Sequence, residues 1–285
     1  MKDRSPSAKA ARRAELKQHI REHRVMFTVY LVLRLIVVAS LVLFLVRRDF
    51  ESAFICGLLL VLFALPAFVE KNLGIRLPDT LQVIILLFIF AAEILGELQS
   101  YYIHFPYWDT MLHTTNGFLC AAFGFSLVDI LCRNKHEKFH LSPLYMAIVA
   151  FCFSMTVGVL WEFFEYGRDN VFHTDMQKDP VVHEIYTVEL DETQSNRAVA
   201  LRNITSVTVN GQDLGLGGYL DLGLRDTMED LTVNFVGAVV FCVFGFFYIK
   251  YRGKSRTAAM VEQFMPTLRT DEDGEKGLLP PEKQE

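Results

Sequence analysis

The sequence lacks the cysteine pairs that mark a zinc site or a disulfide framework. It has 5 cysteines, none of them in a Cys-x-x-Cys pair, and all lie in or beside apolar segments. Cysteines in such surroundings pack as small hydrophobic residues. An A-x-A cleavage site after the first apolar segment is also missing, so we do not expect a cleaved signal peptide. No internal repeat is present.

Long apolar segments dominate what the sequence does contain. Hydrophobic residues make up 52% of the 285 positions, and phenylalanine alone occurs 24 times. Six segments reach or approach the ~20 residues that a helix needs to cross a bilayer. They are residues 26–46, 52–69, 80–96, 110–131, 144–164 and 231–248. The sequence therefore predicts an all-α polytopic membrane protein with about six transmembrane helices.

The polar stretches divide the chain into five parts. The stretches 182–190 and 199–210 are rich in valine, isoleucine and threonine, and Asn210-Gly211 is a strong hairpin signal. Residues 214–224 suit either a further strand or a glycine-rich loop. We predict a basic arm, helices one to five, an extracytoplasmic β-rich insert, helix six and a disordered cytoplasmic tail. These parts span residues 1–25, 26–165, 166–226, 227–250 and 251–285.

Lysine and arginine are concentrated on one side of the predicted helices. With the N-terminus inside, the cytoplasmic flanks carry 17 of these bases, whereas the short outer loops carry only Arg47 and Arg48. This asymmetry predicts a multi-pass protein of the plasma membrane with both termini in the cytoplasm. The basic arm suits contact with anionic lipid. The expected partner is therefore the lipid bilayer and not a nucleic acid.

Acidic residues gather at the predicted outer ends of helices three to six. Asp109 and His113 are four residues apart, so both side chains leave the same face of helix four. The other helices bring Glu93 and Glu97, Glu162 and Glu165, and the group Asp226, Glu229, Asp230 and Asn234 to the same level. We therefore expect one site of carboxylates and a histidine at the level of the outer leaflet.

Capping and core packing also explain part of this pattern. Asp109 and Asp226 are suitable helix N-caps, and a lone histidine is often a core residue. Four glutamates lack such an explanation, because helix C-termini disfavour negative charge. Their compensation could be a bound cation, protonation, or pairing with a base. The four glutamates are Glu93, Glu97, Glu162 and Glu165, and the candidate bases are His113, Arg34, Arg168 and Arg225.

Three functions remain open from these residues. A divalent metal ion would make the protein a hydrolase or transferase acting on a lipid-linked or envelope substrate, with His113 or Glu97 as general base. Its ligands would be Asp109, His113, Glu162, Glu165 and Asp230, supported by Glu93, Arg225, Asp226 and Asn234. A proton-binding or cation-binding transporter or sensor would use the same carboxylates. A scaffold would use them only to join four helices.

Four motifs carry a resemblance to a known family. The chain contains WDTMLHTTNGF from Trp108, GVLWEFFEYGRD from Gly158, DMQKD from Asp175 and RDTMEDLTVNFVGA from Arg225. Together these resemble the YjdF-like bacterial integral membrane proteins, a family with no established biochemical activity. The order of acids and histidine is more distantly similar to that of the VanZ-like proteins. The resemblance implies a bacterial plasma membrane and does not specify a reaction.

Overall fold

The computed structural model describes residues 18, 21–133, 141–250 and 263–268. Within these residues, six helical spans are long and apolar enough to cross a membrane. They are Arg24–Arg47, Phe50–Asn72, Asp79–Leu98, Trp108–Leu131, Pro143–Phe172 and Leu224–Lys250. Small antiparallel strand pairs lie late in the chain. The predicted all-α polytopic membrane fold is therefore confirmed.

The second and third spans each contain a change in helix geometry. In the second span, a turn at residues 63–64 precedes Pro66, whose ring favours the start of a new helix. The third span ends in the π-helical segment Ala91–Leu98. The helices are α1 (Arg24–Arg47), α2 (Phe50–Leu62), α3 (Leu65–Leu73), α4 (Asp79–Phe90), α5 (Tyr101–His104), α6 (Trp108–Arg133), α7 (Pro143–Phe172) and α8 (Leu224–Lys250).

Helices α6, α7 and α8 form the tightest part of the molecule. A Cβ atom on Gly237 of α8 would overlap the backbone oxygen of Thr114 on α6, and one on Gly117 would overlap the backbone oxygen of Asn234. The two backbones therefore touch, as small residues allow in membrane helices. Further along the bundle, buried alanines and phenylalanines fill the core. They include Ala121, Ala122, Phe125, Ala238 and Phe241.

A second core joins the first helices. Val37 of α1 and Cys56 and Leu59 of α2 are completely buried, and Leu86 of α4 packs with them. Much of the remaining surface of α1 is apolar and exposed. An exposed apolar surface is expected for a helix that contacts lipid. The cysteine in this core supports the prediction of a packing role.

The insert between α7 and α8 contains three short antiparallel strand pairs. They are β2 (Val181–Val182) with β7 (Tyr219–Leu220), β3 (Glu184–Thr187) with β4 (Val199–Arg202), and β5 (Thr208–Val209) with β6 (Gln212–Asp213). Asn210 and Gly211 have φ angles of 52° and 82°, which confirms the predicted hairpin turn. The strands are shorter than predicted. Residues 214–224 supply both a strand and a glycine-rich loop.

Helices α7 and α8 extend beyond their predicted ends. Helix α7 ends at Phe172 and α8 begins at Leu224, whereas the apolar pattern predicted 164 and 231. Polar residues end the apolar pattern but not the helix. Asp169, near the end of α7, accepts hydrogen bonds from the backbone N–H groups of Met176 and Gln177 at 2.7 and 2.8 Å, and both of these residues follow the helix. The insert is thereby tied to the end of α7.

Residues 263–268 correct the prediction of a disordered tail. Strand β8 (Thr267–Leu268) pairs with β1 (Ile75–Arg76). Met265 is 3% exposed, and the ring of Phe264 packs edge-on against Phe118 with centroids 5.3 Å apart. These contacts depend on individual side chains and need no apolar periodicity. The basic arm up to residue 17 and the rest of the predicted tail lie outside the described residues.

Candidate functional site

Helix α6 provides the first part of the candidate site. Asp109 lies in its first turn and His113 one turn later, so the helical period places both on one face. The Nε2 atom of His113 is 3.5 Å from Oδ1 of Asp109. His113 is 8% exposed, whereas Asp109 is partly exposed. The predicted pair on one helix face is therefore present.

Helices α7 and α8 bring two more carboxylates to His113. Oδ2 of Asp230 is 3.6 Å from His113 Nε2, and Oε1 of Glu162 is 3.9 Å from His113 Nδ1. These distances are too long for hydrogen bonds. Both carboxylates are 4% exposed. The three side chains therefore face each other across a narrow space inside the bundle.

Glu165 completes the cluster from α7. Its Oε1 accepts a hydrogen bond from Trp161 Nε1 at 2.8 Å, and the residue is 7% exposed. Two groups have ligand atoms within 4.8 Å of one another, and each is compact enough to hold a metal ion. They are Asp109, His113 and Asp230, and Glu162, Glu165 and Asp230. We call these five residues the acid cluster.

Several oxygens of the acid cluster have no hydrogen-bond partner among the described residues. They are both carboxylate oxygens of Glu162, Oε2 of Glu165 and Oδ2 of Asp230, and all are buried. The Thr227 side chain interacts with the Glu162 carboxylate but forms no hydrogen bond of ordinary geometry with it. No lysine or arginine of the described chain forms an ion pair with these three acids. A buried carboxylate without partners is costly. The cluster therefore has the charge and the free oxygens that a cation requires.

The arginines proposed from the sequence as partners lie elsewhere. Arg34 donates to the Tyr30 hydroxyl, and its guanidinium lies 5.6 Å from the centre of that ring. Arg225 is exposed at the start of α8. Arg168 is half-buried and acts electrostatically on Glu93. None of these three bases compensates the acid cluster directly.

The two acids of the third span lie outside the acid cluster. Both belong to the π-helical segment Ala91–Leu98, where Glu93 is half-buried and Glu97 is exposed. Neither residue joins a compact group of potential metal ligands among the described residues. The general-base role of Glu97 stays a prediction. Glu93 and Glu97 lie near the end of their helix, as expected.

The expected dipole penalty does not apply to the glutamates of α7. Glu162 and Glu165 lie ten and seven residues before Phe172, at which α7 ends. The unfavourable helix-end field is confined to about the last turn. The physical difficulty of these acids is therefore burial without partners. It is not their place in the helix.

Two supporting residues of α8 connect the acid cluster to its surroundings. Asp226 accepts a hydrogen bond from the backbone N–H of Lys178 at 2.9 Å, which ties the insert to the start of α8. Asn234 is fully buried one turn beyond Asp230. Its Oδ1 accepts a hydrogen bond from Asn116 Nδ2 at 3.3 Å. This amide pair lies beneath the acids and links α6 to α8.

Tyr102 is a nearby polar residue that sequence reasoning missed. Burial raises its pKa, and the negative charges of Asp109, Glu97, Glu93 and Glu165 raise it further. The phenol therefore keeps its proton and remains a hydrogen-bond donor close to these acids. Trp108 was also missed, and its buried Nε1 has no partner among the described residues. The available signal was their place in the aromatic stretch of residues 101–108, which forms α5 and the start of α6.

Comparison with known proteins identifies the family. No curated protein and no solved structure matches the chain. The family described as predicted membrane protein (DUF2238) matches residues 29–251, which is well over half of the chain and includes the whole acid cluster. The match confirms the resemblance to the YjdF-like membrane proteins. The chain therefore belongs to the predicted membrane protein family DUF2238.

Proposed function

We propose that the acid cluster binds a divalent cation and that the protein is a metal-dependent hydrolase or transferase. One observation carries this proposal. Both oxygens of Glu162 are buried without a hydrogen bond of ordinary geometry, although the Thr227 side chain interacts with this carboxylate, and Oε1 faces His113 within a group of acids. Oxygen-rich ligands with one imidazole suit divalent ions such as Mg²⁺ or Mn²⁺. A bound ion would satisfy oxygens that the described protein groups leave free.

The spacing of the cluster disfavours a role as a structural staple. Polar groups that join helices do so through hydrogen bonds of about 2.7–3.2 Å. Here His113 lies 3.5, 3.6 and 3.9 Å from three carboxylates. If these side chains only joined the helices, without hydrogen bonds between them, their buried charge would be uncompensated. The separation instead supports a ligand between the side chains.

The core beyond the cluster disfavours a transporter. Between α6, α7 and α8 the packing continues through Ala121, Phe125, Ala238 and Phe241, each at most 1% exposed. The buried hydroxyls of Ser126 and Ser154 donate to backbone carbonyls. A carrier needs polar groups or water along its whole path. The charged ligands are instead concentrated at one end of these helices.

The depth of the cluster supports a lipid-linked or envelope substrate. His113 lies three residues inside the apolar segment 110–131, and Asp230 directly precedes the apolar segment 231–248. At 1.5 Å per residue, both lie within about 5 Å of the ends of these segments. This is the level at which a lipid headgroup meets its acyl chains. A substrate anchored in the bilayer would present its reacting group there.

The proposed roles follow from the directions of the side chains. Nε2 of His113 faces Asp109 and Asp230, while Nδ1 faces Glu162, so His113 serves as a ligand. Both ring nitrogens of His113 then interact with the cluster, so neither is free to accept a proton from a water molecule. Glu97 is the remaining candidate for general base. The ion would polarise a substrate oxygen or activate a water molecule.

The proposed location is a bacterial plasma membrane with both chain termini in the cytoplasm. The uneven distribution of lysine and arginine supports this orientation. It places the acid cluster and the insert on the outer side. The lipid bilayer is then the main partner, and no nucleic acid is involved.

Elemental analysis of the purified protein tests the cation site. We expect the wild type to retain a divalent metal and the Glu162→Gln variant to bind it at least about tenfold more weakly. Glu229→Gln is the matched control, because Glu229 is exposed on α8 and lies outside the cluster. Absence of metal from the wild type, even after incubation with Mn²⁺ and Mg²⁺, would refute the proposal.

Reconstituted vesicles distinguish an enzyme from a carrier. We expect no metal flux into proteoliposomes with an internal Mn²⁺ indicator. We also expect mass spectrometry of vesicles made from bacterial lipid extract to show a lipid consumed by the wild type and spared by Glu162→Gln. Flux that depends on Glu162 would instead establish transport. An unchanged lipid profile would contradict the enzymatic part of the proposal.

A further inference from the structure

The two potential metal-ligand groups share one residue. Asp230 belongs to the group with Asp109 and His113 and also to the group with Glu162 and Glu165. Among the described residues, these five do not form one group with all ligand atoms within 4.8 Å. Atoms that bind the same ion lie within about 4 Å of one another, because each bond is about 2.1 Å. The arrangement therefore has two centres.

The charge of the cluster also favours two ions when all four of its acids are ionised. Asp109, Glu162, Glu165 and Asp230 carry four negative charges when ionised, and no lysine or arginine of the described chain pairs with the three most buried of them. One divalent ion would leave two negative charges inside the bundle. Two divalent ions would neutralise all four. Uncompensated charge in such a site is costly, so the neutral arrangement is favoured.

Asp230 has the position that a bridging ligand needs. Its carboxylate comes from α8 and lies within 4.8 Å of ligand atoms from both α6 and α7, and its Oδ2 is buried without a hydrogen-bond partner among the described residues. A carboxylate can bind one ion through each oxygen. Carboxylate-rich helix bundles use this arrangement to hold pairs of ions, typically about 3.5–4 Å apart.

His113 would connect the two centres. Its Nε2 faces Asp109 and Asp230, and its Nδ1 lies 3.9 Å from Oε1 of Glu162. With Nε2 bound to one ion, the Nδ1–H group would point at a ligand of the other ion. Such second contacts fix the ring orientation of a metal-binding histidine.

We propose that the acid cluster holds two divalent cations bridged by Asp230. Asp109 and His113 complete the first centre, and Glu162 and Glu165 complete the second. This inference rests on the proposed function, because it requires that the cluster bind metal at all. It goes further by fixing the number of ions and the ligands of each.

Manganese loading of the full-length protein in detergent tests whether the cluster holds two ions. After chelation and reloading with Mn²⁺, we expect two bound ions per chain by elemental analysis. Two Mn²⁺ ions bridged by one carboxylate couple magnetically, so electron paramagnetic resonance should show a broad coupled spectrum. One ion per chain with the six-line spectrum of isolated Mn²⁺ would overturn the pair and leave the proposed cation site intact. No bound manganese would overturn both.

Variants of the two centres assign the ligands. We expect Asp109→Asn and Glu165→Gln each to lower the stoichiometry from two ions to one and to restore the six-line spectrum. Asp230→Asn should remove the coupling, and the control Glu229→Gln should keep both ions. Helical circular dichroism and gel filtration check the fold of each variant. Coupling that survives in well-folded Asp230→Asn would refute the bridge.

Discussion

Asn234 shows how a single side chain positions the acids above it. It is fully buried, and its backbone oxygen lies against Gly117 of α6. A Cβ atom on Gly158 of α7 would lie 2.8 Å from its Nδ2 atom. The side chain therefore fills the space between three helices one turn beyond Asp230. Its hydrogen bond from Asn116 holds α6 and α8 in register.

Replacing Asn234 with alanine should destabilise the bundle. The change leaves the Nδ2 donor of Asn116 without its partner and opens a space beside Gly158. We expect the free energy of unfolding to fall by about 1–3 kcal/mol, measured by denaturant unfolding in detergent. Asn170→Ala is the control, because Asn170 is exposed on α7 and its side chain donates to the Tyr166 carbonyl of the same helix. Equal stability of the two variants would contradict this role.

The acid cluster could be foreseen from the sequence only in part. The spacing of Asp109 and His113, together with alternating helix directions, was enough to predict their meeting with Glu162 and Asp230. Which acids would be deeply buried was not predictable, because burial depends on helix rotation. Glu97 is exposed for this reason. Tyr102 was missed because its helix, α5, has only four residues and shows no periodicity that fixes the direction of the side chain.

At the scale of the helices, the contact between α6 and α8 depends on Gly237. A methyl group at this position would overlap the backbone oxygen of Thr114, and backbone cannot move aside as a flexible side chain can. Membrane helices that pack this closely lose their contact when the small residue is enlarged. The contact also sets the distance between the acids of α6 and α8.

The Gly237→Ala substitution should separate α6 from α8. We expect a loss of about 1–3 kcal/mol in unfolding free energy, typical of overpacked cores, and weaker metal retention. Gly57→Ala is the matched control, because a Cβ on Gly57 of α2 would meet no atom within 4 Å. The control should be neutral or slightly stabilising, since alanine favours helix. A neutral Gly237→Ala variant would show that the backbones have room to move.

The helices were predictable because bilayer thickness requires long apolar segments. Their ends were less predictable, since polar residues such as Glu165 and Asp169 continue α7 beyond the apolar stretch. The hairpin turn at Asn210-Gly211 was predictable because only a few residue types favour positive φ. Strand lengths were not, because short strand pairs in an insert depend on their partners.

At the scale of the whole molecule, residues 263–268 join distant parts of the chain. Met265 packs into the core that α6, α7 and α8 share, and Phe264 contacts Phe118. Strand β8 pairs with β1, which lies between α3 and α4. The segment therefore connects the α6–α8 bundle to the earlier helices. Its Phe264 also lines an open apolar pocket of about 300 Å³ beside Thr114 and Gly237.

Truncation of the Met265 side chain should weaken this connection. The side chain is 3% exposed, so Met265→Ala creates a cavity and should lower the unfolding free energy by about 2 kcal/mol or more. Thermal unfolding in detergent measures the change. Gln263→Ala is the control, because Gln263 is exposed in the same segment. An unchanged midpoint for Met265→Ala would show that the segment contributes no stability.

The pairing of β1 with β8 also sets an order of events during synthesis. Ile75 meets Leu268, so the ribosome must translate all six membrane-spanning helices before this pairing can form. Contacts between residues so distant in sequence form slowly. A freshly inserted chain would therefore hold its helices without this strand, and Phe118 would lack its contact with Phe264 until residues 263–268 have been translated.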